Sequence, residues 1–159
     1  MESQVRGFIK DSKSQVDSEV GSIGWSKELE TGIDVLDGQH RRYIELLNDY
    51  IENAKKNITT PEQKDVQLNE SLGFLREYAK EHFSTEESIM IDAGFPGYED
   101  HRHEHLYFLR HVGELCKELE TKGFSPKLSR EVNYYTIEWF INHILLLDMQ
   151  LADFLNTRH

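Results

Sequence analysis

Apolar residues recur at alternating steps of four and three along most of this chain, and that spacing constrains the fold more than any other feature. One stripe runs Leu68, Leu72, Leu75, Ala79, His82, Glu86, Ile89. Such steps keep side chains on one face of an α-helix and mark the buried seam of a helical bundle. Asp37 is placed to N-cap a first helix that carries His40, Tyr43, Ile44, Leu47, Tyr50, Ile51 and Ala54 on one stripe. Thr60-Pro61 opens the second helix with a cap and a proline at its first position, and the stretch DAGFPG ends it. A third begins near Tyr98, stacks His101, His105, Phe108, Val112, Leu115 and Leu119, and closes at Gly123. Ser125-Pro126 opens a fourth that runs to about Leu155. Its wide apolar face joins the stripe of Thr136, Phe140, His143, Leu147, Leu151 and Phe154 to that of Ile144, Asp148, Leu151 and Leu155. Four amphipathic helices with short connections predict an all-α, up-down-up-down bundle.

Ahead of the bundle, residues 1–20 are polar and Ser-rich, with only Val5, Phe8 and Ile9 at helical spacing. They read as an extension. Residues 21–36 form an arm whose Trp25, Leu29, Ile33 and Leu36 are enough to cover one end of a core, so the bundle domain spans 21–159. The chain carries 29 acids against 18 bases, a formal charge of -11, with no basic run. That balance argues against nucleic acid or an anionic membrane as partner. Cys116 is the single cysteine, which excludes an intrachain disulfide and fits a reducing compartment. No apolar run approaches membrane-spanning length and the first residues carry no hydrophobic signal region. The chain therefore reads as cytoplasmic; a monomer is the separate expectation.

Each seam holds residues that do not belong in an apolar core: His40 on the first, His82 and Glu86 on the second, His101 and His105 on the third, His143 and Asp148 on the fourth. Burying such groups unpaired costs several kcal/mol each. In an up-down bundle the start of the first and third helices and the end of the second and fourth share one end. At ~1.5 Å per residue from that end, His40 lies about 5 Å in, Glu86 and His82 about 6 and 12 Å, His101 and His105 about 5 and 10 Å, Asp148 and His143 about 10 and 18 Å. All seven fall in one layer. His82 and Glu86, like His101 and His105, are one turn apart and share a face. His143 and Asp148 are five apart, a poorer match to the helical period. His103, His111 and His159 fall away from the seams or at the chain end.

Five imidazoles, two carboxylates and no thiolate make a nitrogen and oxygen site for first-row transition metals. Seven donors exceed the needs of one ion, so two ions sharing carboxylates are the economical solution. The set is too rich for a closed four-ligand structural zinc site. No histidine has a Glu three positions before it, as the ferritin-like di-iron class requires. A His-Glu-x-x-His zinc-protease helix is also missing.

At this point the chain resembles the hemerythrin family over about residues 25–155, through the segments GIDVLDGQH, HFSTEE, HRHEH and WFINHILLLD in that order. The resemblance implies two iron ions. One would be held by His101, His105 and His143 and the other by His40 and His82, with Glu86, Asp148 and a solvent-derived oxygen as bridges. Three histidines against two leave the second iron with an open position, and reversible O2 binding there is the implied function. Phe83, Trp139, Phe140 and Ile144 flank the ligands and are candidates for the pocket around O2. Phe140 departs from the leucine expected three positions before the histidine of the fourth helix. The leading expectation is O2 storage, delivery or scavenging by a binding protein rather than an enzyme. A partner that consumes O2 or carries a signal fits the same site. The alternatives are an O2 or redox sensing module acting through such a partner, and a di-iron enzyme turning over peroxide or nitric oxide.

Overall fold

The computed structural model of the protein describes residues 23–54, 56 and 58–158. Residues 1–20, expected to be a polar extension, lie outside the described residues. A short 3-10 turn at Lys27–Leu29 precedes four helices: α1 (Asp34–Ala54), α2 (Pro61–Ala93), α3 (Tyr98–Lys122) and α4. The last is assembled from Pro126–Asn133, a π-helical stretch at Tyr134–Trp139, Phe140–His143, a second π stretch at Ile144–Asp148, and Met149–Asn156. The fold is all-α, as the seam spacing predicts, and no strand occurs among the described residues.

The helix boundaries follow local chemistry. Thr60 and Gln63 close a capping box in which each side chain accepts from the other's backbone N–H, and Pro61 occupies the first helical position. Gly94 takes the left-handed conformation (φ 63°) that ends α2, a geometry costly for any residue with a Cβ. Ser125 caps α4 through the backbone N–H of Leu128. One expectation fails at α1. The helix begins at Asp34, so Asp37 is inside its first turn and the arm is three residues shorter than the sequence suggests. Asp37 works backwards instead. Its buried carboxylate accepts from the backbone N–H groups of Thr31 and Gly32, at 2.7 and 3.0 Å, and from the Thr31 hydroxyl at 2.7 Å. This pins the turn that enters the helix.

The interior is divided. A main core of Tyr43, Leu47, Leu72, Leu75, Phe83, Phe108, Val112, Leu128 and Phe140 fills most of the bundle. A separate plug of Leu36, Met90 and Leu151, flanked by Ile33, Phe95 and Tyr98, closes one end. Between the two lies the polar layer. Full burial of a Leu or Phe side chain contributes roughly 1.5–3 kcal/mol, so the two apolar bodies can offset the cost of a polar interior layer. The arm is tied to the bundle through Asn48, whose side chain exchanges two hydrogen bonds with the Ile23 backbone at 2.7 and 2.9 Å.

Candidate metal centre

All four helices contribute to the layer, and the seven side chains singled out by the sequence come together there. His40, His82, Glu86, His105 and Asp148 have no exposed surface, and His101 and His143 have 2% and 4%. Their donor atoms form two groups. One is Glu86, His101, His105 and His143; the other is His40, His82, Glu86 and Asp148. Within each group the donor atoms lie within 4.8 Å of one another. His103 is exposed. His111 sits outside the layer, bonded at 2.8 Å to the Tyr107 carbonyl, and His159 lies outside the described residues.

The five-residue spacing of His143 and Asp148 has a local cause. The chain between them is π-helical, and the N–H of Met149 reaches the carbonyl of Ile144, five residues back. A π turn stacks residues five apart as an α turn stacks residues four apart. His143 Nε2 and Asp148 Oδ1 are accordingly 3.1 Å apart. The same widening changes the expected buried face. Tyr135, Trp139 and Ala152 are buried, whereas Leu147 and Phe154 are only half-buried.

Both carboxylates straddle the two groups. Asp148 Oδ2 is 2.9 Å from His40 Nε2, while its Oδ1 is 3.1 Å from His143 Nε2. Glu86 Oε2 is 3.0 Å from His105 Nε2, while its Oε1 is 3.6 Å from His82 Nε2. Burial and mutual repulsion push the Glu86 carboxyl up, but His82, His101 and His105 together hold it well below the usual carboxylate range. Asp148, also opposed by burial, is held far down by His143, His101 and His40. Burial likewise disfavours a charged His143, yet Asp148 and Glu86 push it up to about 10. The same carboxylates raise His101 against its burial, whereas burial prevails at His105 and lowers it.

This donor set fits a metal. Imidazole nitrogens crowd together, at 3.2 Å for His101–His143 and for His105–His143 and at 3.4 Å for His40–His82. Lone pairs that close repel unless a cation or proton lies between them. Glu86 Oε1 and Asp148 Oδ1 are buried without a hydrogen-bond partner, although a buried carboxylate oxygen needs one. Metal cations would satisfy both demands.

Aromatic rings wall the layer. Phe83 stacks on His105 with centroids 3.9 Å apart, and Trp139 stacks on His143 at 4.9 Å. Phe140 lies 5.6 Å from the His82 ring and stacks on Tyr43 at 4.1 Å. Ile144 is fully buried beside His143. Sequence reasoning missed four residues. Tyr78 stacks on His82 at 5.8 Å and donates to the Gln39 carbonyl. Tyr43 is visible in the sequence as a seam residue only, yet its hydroxyl donates to the carbonyl of Thr136 in the first π stretch. Gln39 and Glu87 each bond a histidine of the layer from behind, at 2.9 Å. Their signal is faint: each adjoins a seam residue but points off the seam, where polarity reads as solvent exposure.

A four-helix bundle with a buried layer of histidines and carboxylates is the frame of a metal-binding protein. The chain belongs to the hemerythrin family, whose profile, described as a hemerythrin HHE cation binding domain, matches residues 31–155. Among similar proteins, the bacteriohemerythrin of Stenotrophomonas maltophilia is 30% identical over 129 residues, covering 81% of this chain and 78% of that one. The bacteriohemerythrin of Clostridium acetobutylicum is 30% identical over 130 residues, covering 81% and 98%. A hemerythrin from Sipunculus nudus is 26% identical over 132 residues, covering 82% and 92%. None of the described helices is long and apolar enough to cross a membrane.

Proposed function

We propose that this protein binds O2 reversibly at a pair of iron ions. His101, His105 and His143 would hold iron in one half of the layer and His40 and His82 in the other, with the Glu86 and Asp148 carboxylates available to both. The observation that carries this reading is the straddling of both carboxylates, each with one oxygen towards each group of histidines. A bridging carboxylate needs that placement, and a single-ion site has no use for it twice. Two ferrous ions supply the electrons that O2 binding draws on, and the unequal division of histidines leaves room for a ligand on the His40–His82 side.

The remaining work falls to the chain itself. Phe83, Phe140 and Ile144, at 2%, 0% and 0% exposure, keep bulk water from the layer, and Trp139 seals it behind His143. Of these, Phe140 stands nearest the two-histidine side, through its contact with His82. Dry, apolar walls suit an O2 carrier, because water or anions entering the site displace the ligand and promote oxidation. A metal cation would take the place of the proton that Asp148 and Glu86 favour on His143, so metal uptake should release protons.

The test is optical and analytical. Purified protein loaded anaerobically with Fe(II) is expected to hold two irons per chain. On exposure to O2 it should gain visible charge-transfer absorption that fades under argon. One zinc per chain, or no O2-dependent spectrum after iron loading, rejects the proposal. Steady turnover of peroxide or nitric oxide without a stable oxygenated form would move the protein to the enzymatic alternative.

A further inference from the structure

Two histidines of the layer, one in each half, are held from behind by side chains of different charge. Gln39 Oε1 lies 2.9 Å from His82 Nδ1, and Glu87 Oε1 lies 2.9 Å from His105 Nδ1. The Nδ1 atoms of His40, His101 and His143 have no hydrogen-bond partner among the described residues. Each holder adjoins a layer residue in sequence but serves a different helix. Gln39 precedes His40 on α1 and reaches His82 on α2; Glu87 follows Glu86 on α2 and reaches His105 on α3.

The orientation of the Gln39 amide is fixed by a chain of hydrogen bonds. The Thr85 hydroxyl lies 2.9 Å from the Glu81 carbonyl oxygen, which can only accept, so its one proton is committed there. Towards Gln39, at 3.0 Å, Thr85 is then an acceptor and takes an N–H of the amide. The amide oxygen is left facing His82, so Nδ1 carries the proton. The lone pair sits on Nε2, the nitrogen turned into the layer. The acceptor-only carboxylate of Glu87 imposes the same tautomer on His105, with Arg102 Nε 3.9 Å from its other oxygen.

The tautomers match but the charges do not. We infer that Gln39 and Glu87 are positioning residues that make the two halves of the centre electronically unequal, in a way that rests on the di-iron reading above. An anionic acceptor raises the basicity of the imidazole it holds. Glu87 itself is half-buried, but the His105 ring it holds is fully buried, which limits screening of the contact. Through Glu87, His105 is a stronger donor than its burial alone would leave it, and the three-histidine half is biased towards the more oxidised metal. Through the neutral Gln39, His82 stays the weaker donor, and the half with room for a ligand is biased towards the reduced metal.

Near-isosteric exchange in the full-length, iron-loaded protein tests this. Gln39→Glu adds an anion behind His82 and Glu87→Gln removes one behind His105. The reduction potential is expected to fall in Gln39→Glu and rise in Glu87→Gln. Gln39→Ala and Glu87→Ala should each weaken iron binding by about 10–100-fold. A packing role alone would lower thermal stability in both without moving the potentials in opposite directions. Potentials that stay put or move together overturn the inference. As a second measurement, nitrogen-15 histidine spectra of the zinc-loaded wild-type protein should show protonated Nδ1 at His82 and His105, and Nε2 protonation at either overturns it. Failure of the wild-type protein to hold two irons or bind O2 strikes the functional proposal, whereas a normal oxygenated spectrum with unmoved potentials strikes this inference alone.

Discussion

His82 and His111 both sit on helix faces with apolar neighbours, and what they face separates them. His82 is fully buried, with Nε2 3.3 Å from Asp148 and Nδ1 held by Gln39. His111 is half-buried against Tyr107 and Tyr135, with ring centroids at 4.0 and 5.7 Å. His82→Ala should therefore drop metal content below two per chain and cost ~2–4 kcal/mol, since it opens a cavity beside buried carboxylates. His111→Ala should keep full metal content and cost about 1 kcal/mol or less. Metal analysis and denaturant melts check both, and equal metal loss would mean that the layer extends further along α3. Phe140 poses a finer question. Its ring is fully buried between Tyr43 and His82. Phe140→Leu should remove ring contacts worth about 1–2 kcal/mol and widen the space beside His82. Azide association with the oxidised protein and autoxidation of the oxygenated form should then both accelerate. Unchanged rates with lowered stability would make Phe140 ordinary core.

At the scale of the helix, the spacing of His143 and Asp148 shows where sequence reading reaches its end. The seams of α2 and α3 are legible because leucine and histidine share one face at steps of four and three, and a turn of α-helix is the only geometry needed. The caps at Thr60, Gly94 and Ser125 are legible because their chemistry is local. A π turn is not, since no residue type demands it and a period of 3.6 is the default assumption. Asp37 misleads for a related reason: an acid near a helix start resembles an N-cap, and only the folded turn reveals that it serves Thr31 and Gly32. A π turn amounts to one extra residue in an α register, tolerated where a site needs the geometry. Deleting Leu146, which is 46% exposed within that turn, should let α4 close as regular α-helix. His143 and Asp148 would then be four apart and still on one face. Helix content by circular dichroism should hold and thermal stability should stay within ~1 kcal/mol. Metal affinity by competition titration should fall about tenfold or more, roughly 1.4 kcal/mol, because the carboxylate shifts along the helix. Unfolding of the deletion variant would show that the π turn maintains the register of the whole bundle end.

Across the whole molecule, the metal layer is enclosed by a large core on one side and by a small plug of Leu36, Met90 and Leu151 on the other. The plug depends on the chain entering the bundle. Leu36, fully buried in the first turn of α1, and Ile33 belong to the plug, whereas Leu29, 3% exposed, and the arm residues before it pack on the main core. Trp25 lies against the Arg41 guanidinium at 4.6 Å, and Ile23 is fastened to Asn48. Residues 1–20 carry few apolar side chains, and we propose that the domain does not need them. Deleting residues 2–20 should leave iron content, the O2 spectrum and thermal stability essentially unchanged. Deleting residues 2–36 removes two buried leucines, at roughly 1.5–3 kcal/mol each, and strips the Asp37 carboxylate of its Thr31 and Gly32 partners. A loss of that size is a large fraction of the ~5–15 kcal/mol that holds a domain together. The longer deletion should thus melt well below the full chain and, where it still folds, oxidise faster in air because the metal end is open. Melting curves and autoxidation rates on the two deletions and the full chain make the comparison. If the shorter deletion alone abolishes O2 binding, the extension belongs to the working domain and the boundary at residue 20 is wrong.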